Sequence, residues 1–154
     1  MILNFSTSSE ADTLRFAAAL ATSLMSGDTI LLHGDLGVGK SVLARGIARA
    51  LGIQGPMPSP TFTLMIPYEG KMPLRHYDLY RLNDPDEFYE AGLDEGLGAE
   101  GISLIEWPEM AELEISDALE LELSRTADEN GRRIGLLAPE GRSFPGTEAW
   151  RTEE

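Results

Sequence analysis

The chain has 154 residues, no cysteine and a formal net charge of −14 at pH 7. This length predicts one domain with a core of its own, and the absence of cysteine excludes disulfides, thiol catalysis and cysteine metal sites. The N-terminal residues carry neither a basic segment nor a long apolar run, so we expect no secretory signal, no membrane span and a cytoplasmic location.

The acidic charge is concentrated in the middle of the chain. Residues 82–124 contain fourteen Asp and Glu residues and no Lys or Arg, while the remaining twelve acids balance all twelve bases. Such a segment repels a phosphate backbone, so strong direct binding of nucleic acid by this chain alone is not expected. The segment is either a solvated face or a docking surface for a more basic protein.

The first predicted element is a helix that begins at Thr7, whose hydroxyl fits a capping box with Glu10, and that ends near Ser26. The apolar run from Thr29 to His33 then predicts a strand buried on both faces. A second helix is predicted over Ser41 to Leu51, because apolar residues recur there every four positions.

The segment between this strand and this helix fits the phosphate-binding pattern G-x-x-x-x-G-K-[ST]. Its glycines let the backbone curl so that N–H groups point at phosphate oxygens. Lys40 can place its ammonium against the outer phosphates, and the Ser41 hydroxyl can ligate Mg²⁺. The pattern therefore predicts a nucleotide site whose binding loop contains Asp35, Leu36, Gly37, Val38, Gly39, Lys40 and Ser41.

Two further strands, Thr61 to Tyr68 and Pro73 to Tyr80, are predicted as a hairpin with its turn at Lys71. A helix start follows, with Asp84 as N-cap and Pro85 at the first helical position.

The remaining predicted strands are Gly101 to Glu106, which is apolar throughout, Leu119 to Ser124, which alternates, and Ile134 to Ala138. Residues 139–154 are polar and contain glycine and proline, so we expect a loosely held tail. The predicted folded domain therefore spans residues 1–138.

A phosphate loop needs an acid across the site to organise Mg²⁺, usually at the C-terminal end of a strand beside the loop strand. Glu106 ends a continuous apolar run and is favoured on that ground, while Asp78 lies in a more alternating segment and is the competing candidate. Spacing alone leaves open that either is an ordinary strand-end acid. His76 shares a strand face with Asp78 and is a secondary candidate, whereas His33 is interpreted as a packing residue. Trp107 either covers the site or packs beneath the sheet, and packing is the favoured interpretation.

The segment Ser59-Pro60-Thr61-Phe62 precedes a predicted strand, one helix after the phosphate loop. A hydroxyl in this place either senses the outer phosphate, as in nucleotide switches, or belongs to a local turn capped by Ser59. Arg81 is the nearest candidate for an arginine that stabilises the transition state.

Together these segments resemble the TsaE family, also called YjeE, of small P-loop ATPases. The resemblance is carried, in order along most of the chain, by residues 34–41, 59–64, 76–82, 84–87 and 104–108. The phosphate loop alone is generic, but the combination is specific.

The resemblance implies a single α/β domain, of the P-loop NTPase type, whose central sheet mixes parallel and antiparallel strands and is flanked by helices. It implies an ATPase that partners the TsaD–TsaB heterodimer in making threonylcarbamoyladenosine in tRNA. It also implies Mg²⁺ ligation by Ser41 and Glu106, a second essential acid at Asp78 and a switch hydroxyl at Thr61. Adenine contacts are implied at Glu10 and Arg132.

We therefore predict ATP hydrolysis coupled to a partner, with Lys40 on the β- and γ-phosphates and Asp78 or Thr61 positioning the attacking water. One alternative is a nucleotide-gated binding module without hydrolysis. The other is a small-molecule kinase, which would need a lid with clustered arginines that residues 82–124 lack.

Overall fold

The computed structural model describes residues 1–60 and 62–153. One mixed sheet of eight strands forms its centre. The strands are β1 (Ile2–Thr7), β2 (Thr29–His33), β3 (Met65–Tyr68), β4 (Leu74–Asp78), β5 (Ile102–Glu106), β6 (Leu119–Arg125), β7 (Arg132–Leu137) and β8 (Arg151–Thr152). The helices are α1 (Glu10–Ala21), α2 (Lys40–Ala50) and α3 (Asp86–Glu90), with 3₁₀ turns at Leu93–Gly96, Pro108–Ala111 and Glu148–Trp150.

The strand order is β3-β4-β5-β2-β6-β7-β1-β8, and the pairs β4–β5, β5–β2 and β2–β6 are parallel. The remaining pairs are antiparallel, so the predicted mixed α/β sheet is confirmed. Its two edges are short: β3 has four residues, among them Pro67, and β8 has two. No helix within the described ranges is long and apolar enough to cross a membrane.

Helices α1 and α2 cover one face of the sheet over the main apolar core, which includes Phe16, Leu32, Leu43, Ile47 and Leu121. The two helices touch at Gly46, where an added Cβ would lie 2.5 Å from the Cβ of Ala17. On the opposite face, α3 and the first two 3₁₀ turns cover a smaller core that includes Leu31, Tyr77, Phe88 and Ile105. The strand β2 is thereby buried on both faces, as predicted from its apolar run.

The predicted first helix forms as α1, but it starts later than expected, and the strand β1, which was not predicted, precedes it. Thr7 ends that strand, and its Oγ1 lies 2.7 Å from Oγ1 of Thr13. The N-cap of α1 is Ser9, whose Oγ accepts a hydrogen bond from the backbone N–H of Asp12 at 3.0 Å. The capping box between Thr7 and Glu10 therefore does not form, and the helix starts at Glu10.

Other boundaries shift by a few residues. Helix α1 ends at Ala21 instead of near Ser26, and both strands of the β3–β4 hairpin are shorter than predicted. The N-cap of α3 is Pro85, one residue after the predicted Asp84, although the carboxylate of Asp84 still accepts a hydrogen bond from the backbone N–H of Asp86 at 2.8 Å.

The C-terminal segment packs on the domain, against the expectation of a loosely held tail. The guanidinium of Arg142 donates to both carboxylate oxygens of Asp28, at 2.9 Å each, and these side chains are only 14% and 11% exposed. Trp150 Nε1 donates to Asp12 Oδ1 at 2.9 Å, and β8 pairs with β1. The sequence of this segment is typical of a loose tail because it is polar, and the residues that hold it lie far away in the chain.

Candidate functional site

The phosphate-binding loop joins the end of β2 to the start of α2, and its conformation depends on glycine. Gly34, Gly37 and Gly39 have φ values of +146°, +78° and +117°, which side chains rarely tolerate. An added Cβ at Gly34 would lie 2.8 Å from the carbonyl oxygen of Leu123 on β6, so the loop also packs closely. Gly39 is the N-cap of α2 and provides no side-chain cap, which leaves first-turn N–H groups for a ligand.

Lys40 is a buried cation, and no anion of the described residues lies at hydrogen-bond distance from it. Its side chain is 5% exposed, its Nζ donates to the carbonyl oxygen of Gly34 at 2.6 Å, and the same Nζ lies 3.4 Å from the ring centroid of Trp107. Burial lowers the pKa of this ammonium, and the opposing attraction comes from the carboxylates of Glu106, Glu109, Asp78 and Asp35. A phosphate group would supply the missing counter-charge.

The cleft beside Lys40 has a volume of about 360 Å³. It collects residues from the phosphate loop, the start of α2 and the ends of β4 and β5. Its lining consists of Leu36, Gly37, Gly39, Lys40, Ser41, Val42, Ser59, Asp78, Tyr80, Glu106 and Trp107.

The two acids that compete as metal organisers in sequence lie side by side. Asp78 and Glu106 are partners in the parallel pairing of β4 with β5, and β5 is also the neighbour of the loop strand β2. Glu106 is buried and its Oε2 lies 2.7 Å from Nε2 of His76. Asp78 Oδ1 accepts from the backbone N–H of Tyr80 at 3.0 Å, and its Oδ2 accepts from Oγ of Ser59 at 3.1 Å. Both acids therefore face the cleft, with different partners.

The donor set of this cleft fits a magnesium ion. The Ser41 hydroxyl and the carboxylates of Glu106 and Asp78 are hard oxygen donors, which Mg²⁺ prefers. The part of the chain that the structure describes contains no group of three His, Cys, Asp or Glu residues able to hold a metal ion alone. This agrees with Mg²⁺, which is usually bound by one or two carboxylates and completed by water and substrate phosphates.

Trp107 forms a wall of the cleft, which is the less favoured of its two interpretations from sequence. Its ring contacts that of Tyr80, with centroids 4.8 Å apart, and covers the ammonium of Lys40. Its φ of +58° is an outlier for a bulky residue, and Pro108 follows directly. Strained backbone of this kind clusters at functional sites. The signal available in sequence was a Trp-Pro pair directly after a strand-end acid.

The structure brings Glu10 and Arg132 together on the other side of the loop. Both line a second cleft of about 180 Å³, together with Thr13, Gly37, Gly39, Val42 and Asn130. Arg132 Nε donates to the carbonyl oxygen of Val38 at 2.6 Å, and Glu10 pairs with Arg45 at 3.1 Å. Because Gly37 and Gly39 line both clefts, a ligand could extend from one to the other past the loop.

The remaining predicted residues differ in their distance from the cleft. Leu36 is exposed on the loop and lines the cleft, whereas Asp35 is exposed on the loop outside that lining. Arg81 stacks on the exposed ring of Phe62 at 4.4 Å, away from the cleft lining. Thr61 lies outside the described residues, so its predicted role stays a prediction.

The ring of His33 contacts two surface carboxylates, so His33 is not the packing residue that the sequence suggested. Its Nε2 lies 3.0 Å from Glu120 and its Nδ1 lies 3.6 Å from Glu109.

Comparison with known proteins identifies relatives of this chain. The family model described as "Threonylcarbamoyl adenosine biosynthesis protein TsaE" matches residues 7–134. A Bacillus subtilis protein named tRNA threonylcarbamoyladenosine biosynthesis protein TsaE is 36% identical over 138 residues, which cover 88% of this chain and 85% of that protein. The protein of the same name from Synechocystis sp. is 50% identical over 98 residues, covering 58% of this chain and 60% of that protein.

The fold matches as well. The crystal structure of Bacillus subtilis YdiB superposes with a TM-score of 0.75 at 31% sequence identity, covering 90% of this chain and 86% of that one. The chain belongs to the TsaE family.

Proposed function

We propose that the chain binds Mg·ATP in this cleft and hydrolyses it, in the pathway for which its relatives are named, tRNA threonylcarbamoyladenosine biosynthesis. One observation carries the proposal. A single cleft joins a phosphate loop, a buried ammonium, a hydroxyl at the helix start and two carboxylates at the ends of adjacent parallel strands.

The phosphates are bound by the loop N–H groups and by Lys40. When the outer phosphates enter, the ammonium exchanges the carbonyl of Gly34 and the face of Trp107 for phosphate oxygens, which satisfies its charge better. Ser41 and Glu106 would hold the magnesium ion. When bound, that ion neutralises charge on the phosphates.

Asp78 is the described acid best placed to orient the attacking water. Its two oxygens are held by Tyr80 and Ser59, and its carboxylate is only partly buried at the cleft wall. The water oxygen forms a bond to the γ-phosphorus while the bond from that phosphorus to the β-phosphate oxygen breaks. The water proton passes to Asp78 and then to solvent. The hydroxyl of Thr61 is the alternative positioning group implied by the family resemblance.

The proposed function includes a protein partner, for which the family resemblance implies the TsaD–TsaB heterodimer. No arginine is among the described residues that line the cleft. We therefore expect slow hydrolysis by the isolated chain and faster hydrolysis in the complex, where a partner can supply a cation. The acidic segment 82–124 favours docking on a basic protein surface over binding RNA directly.

The test is phosphate release from Mg·ATP by the chain alone and with the TsaD–TsaB heterodimer, beside Lys40→Ala, Glu106→Gln and the control Lys71→Ala. Lys71 is the other lysine of the chain and is exposed, so its loss should change nothing. Stimulation by the partner that both site variants abolish supports the proposal. Binding of ATP without phosphate release in either condition would leave a nucleotide-gated docking module instead.

A further inference from the structure

A histidine and a glutamate are buried together at the base of the cleft. His76 lies on β4, two residues before Asp78, and Glu106 ends the neighbouring strand β5. The two side chains are 5% and 6% exposed, and His76 Nε2 lies 2.7 Å from Glu106 Oε2.

The surroundings of the imidazole decide which nitrogen carries the proton. Nδ1 of His76 is buried and has no hydrogen-bond partner among the described residues. A proton on Nδ1 alone would bury an unpaired donor and would place two acceptors face to face at 2.7 Å. The tautomer with its proton on Nε2 avoids both costs. In the structure, His76 therefore donates Nε2–H to Glu106.

We infer that His76 is a positioning residue, which uses this hydrogen bond to fix the Glu106 carboxylate so that its other oxygen serves the magnesium site. Donors that hold a ligating carboxylate in this way orient the ligand and tune its strength. The inference rests on the proposed function, because it assigns Glu106 to the metal. It adds a residue to the site that does not itself line the cleft.

The choice of residue supports this role over simple packing. An imidazole with an unpaired buried nitrogen is a costly way to fill an apolar space, since a hydrocarbon side chain would lose no hydration. The hydrogen bond to Glu106 is the one contact of the His76 ring that offsets this cost among the described groups. The presence of a histidine at this position is therefore explained by its hydrogen bond to Glu106 and by the role of Glu106 at the metal site.

Two substitutions of His76 separate the effect of its hydrogen bond to Glu106 from the effect of its side-chain volume. His76→Gln keeps an N–H donor at the end of a side chain of similar reach, whereas His76→Leu fills the space without a donor. Mn²⁺ replaces Mg²⁺ as an observable ion, and its binding to the chain saturated with a non-hydrolysable ATP analogue is followed by electron paramagnetic resonance. Affinity for the analogue without metal, in excess chelator, is measured by calorimetry on the same variants.

We expect His76→Leu to weaken Mn²⁺ binding about 10- to 100-fold and His76→Gln to stay within about 3-fold of the wild type. Metal-free affinity for the analogue should be equal in all three proteins, because His76 touches no phosphate-binding group. Circular dichroism checks the fold, and His76→Met replaces His76→Leu if the branched side chain prevents folding.

Unchanged Mn²⁺ affinity in His76→Leu overturns the inference. Equal losses in His76→Gln and His76→Leu also overturn it, since an N–H donor at this position would then not restore metal binding. A wild-type protein that binds no Mn²⁺ with the analogue would defeat both the inference and the proposed function. Normal binding by the wild type and by His76→Leu defeats the inference alone.

Discussion

The two ends of strand β2 carry buried charges of opposite character. Before the strand, Asp28 accepts two hydrogen bonds from Arg142 and a third from the backbone N–H of Met25 at 2.8 Å. After the strand, Lys40 has one carbonyl oxygen and one aromatic face, and its pKa is lowered by burial. Both cations are withdrawn from water, but only Arg142 is paired with a carboxylate.

This difference separates a structural from a functional use of buried charge. A cation with matched acceptors loses little by burial and fixes the segments that it joins, here the C-terminal segment and the turn before β2. A cation without an anion costs folding free energy and persists where a ligand repays that cost. The unmatched charge of Lys40 and the glycine pattern of the loop therefore both indicate a ligand site after the C-terminal end of β2.

Of the substitutions considered, Lys40→Met should have the largest effect, and this effect is on the rate of ATP hydrolysis. Loss of the ammonium should lower the rate of ATP hydrolysis by about 10²- to 10³-fold, because one preorganised charged donor to the phosphates is removed. Phosphate release measures this effect, and Lys71→Met is the matched control.

The same substitution should raise stability near neutral pH. Because the pKa of Lys40 is lowered from 10.5, the unfolded chain binds this proton more tightly than the folded protein does. Burial of the charge therefore costs free energy below the folded pKa, and the cost disappears as pH rises toward 10.5. Urea unfolding at pH 7 and pH 10 should show a gain for Lys40→Met that shrinks at the higher pH. A loss of stability of Lys40→Met at pH 7 would contradict the view that the buried charge of Lys40 costs folding free energy.

Arg142→Met should have the opposite effects, a loss of stability without a loss of function. Breaking this pair leaves Asp28 buried and unpaired, at a cost of about 3 kcal/mol in the free energy of unfolding. For a domain of this size, that cost lowers Tm by roughly 6–12 °C. Affinity for ATP should not change. Arg15→Met, which removes an exposed arginine paired with Asp12, is the control and should change the free energy by less than about 0.5 kcal/mol.

Trp150→Phe should have a smaller, pH-dependent effect. The hydrogen bond from Trp150 is the largest cause that holds the pKa of Asp12 below 3.8, so its stabilisation is complete above that pH and is lost as pH falls through the lowered pKa. We expect wild type and variant to differ by about 1.5 kcal/mol at pH 7 and by less at pH 2–3. Chemical denaturation across this range measures the difference. A constant difference would assign the whole effect to packing against Phe16.

Arg81→Ala should have the smallest effect on the isolated chain. Arg81 stacks on Phe62 and does not line the cleft, so its loss should change hydrolysis by the chain alone by less than about 3-fold. Steady-state phosphate release checks this. A loss as large as that of Lys40→Met would show that Arg81 enters the cleft with ATP bound.

The sequence predicted those parts of the site whose signal is local. The phosphate loop and strands β2 and β5 follow from glycine spacing and continuous apolar runs, and Glu106 follows from its place at a strand end. Local patterns did not decide between Glu106 and Asp78, because the answer depends on β4 lying parallel beside β5. The structure leaves both acids in the cleft.

The features that were missed or less favoured depend on contacts between distant residues or on unusual backbone. Trp107 covers Lys40 because its own φ is positive, which residue type does not reveal. The C-terminal segment is held by Asp28 and Asp12, more than a hundred residues earlier. Strand β1 alternates in burial as a half-exposed strand should, but the apparent capping pair at its end favoured a helix.

The short outer strands of the sheet have a consequence for the protein at high concentration. A second molecule could extend the sheet only by pairing with an edge strand. The edge strand β3 offers four residues, of which Pro67 lacks an N–H, and the edge strand β8 offers two. Such margins offer too few backbone groups for intermolecular β-pairing, and the excess of negative charge keeps molecules apart. The fold therefore resists aggregation through its sheet while the cleft beside the phosphate loop stays open.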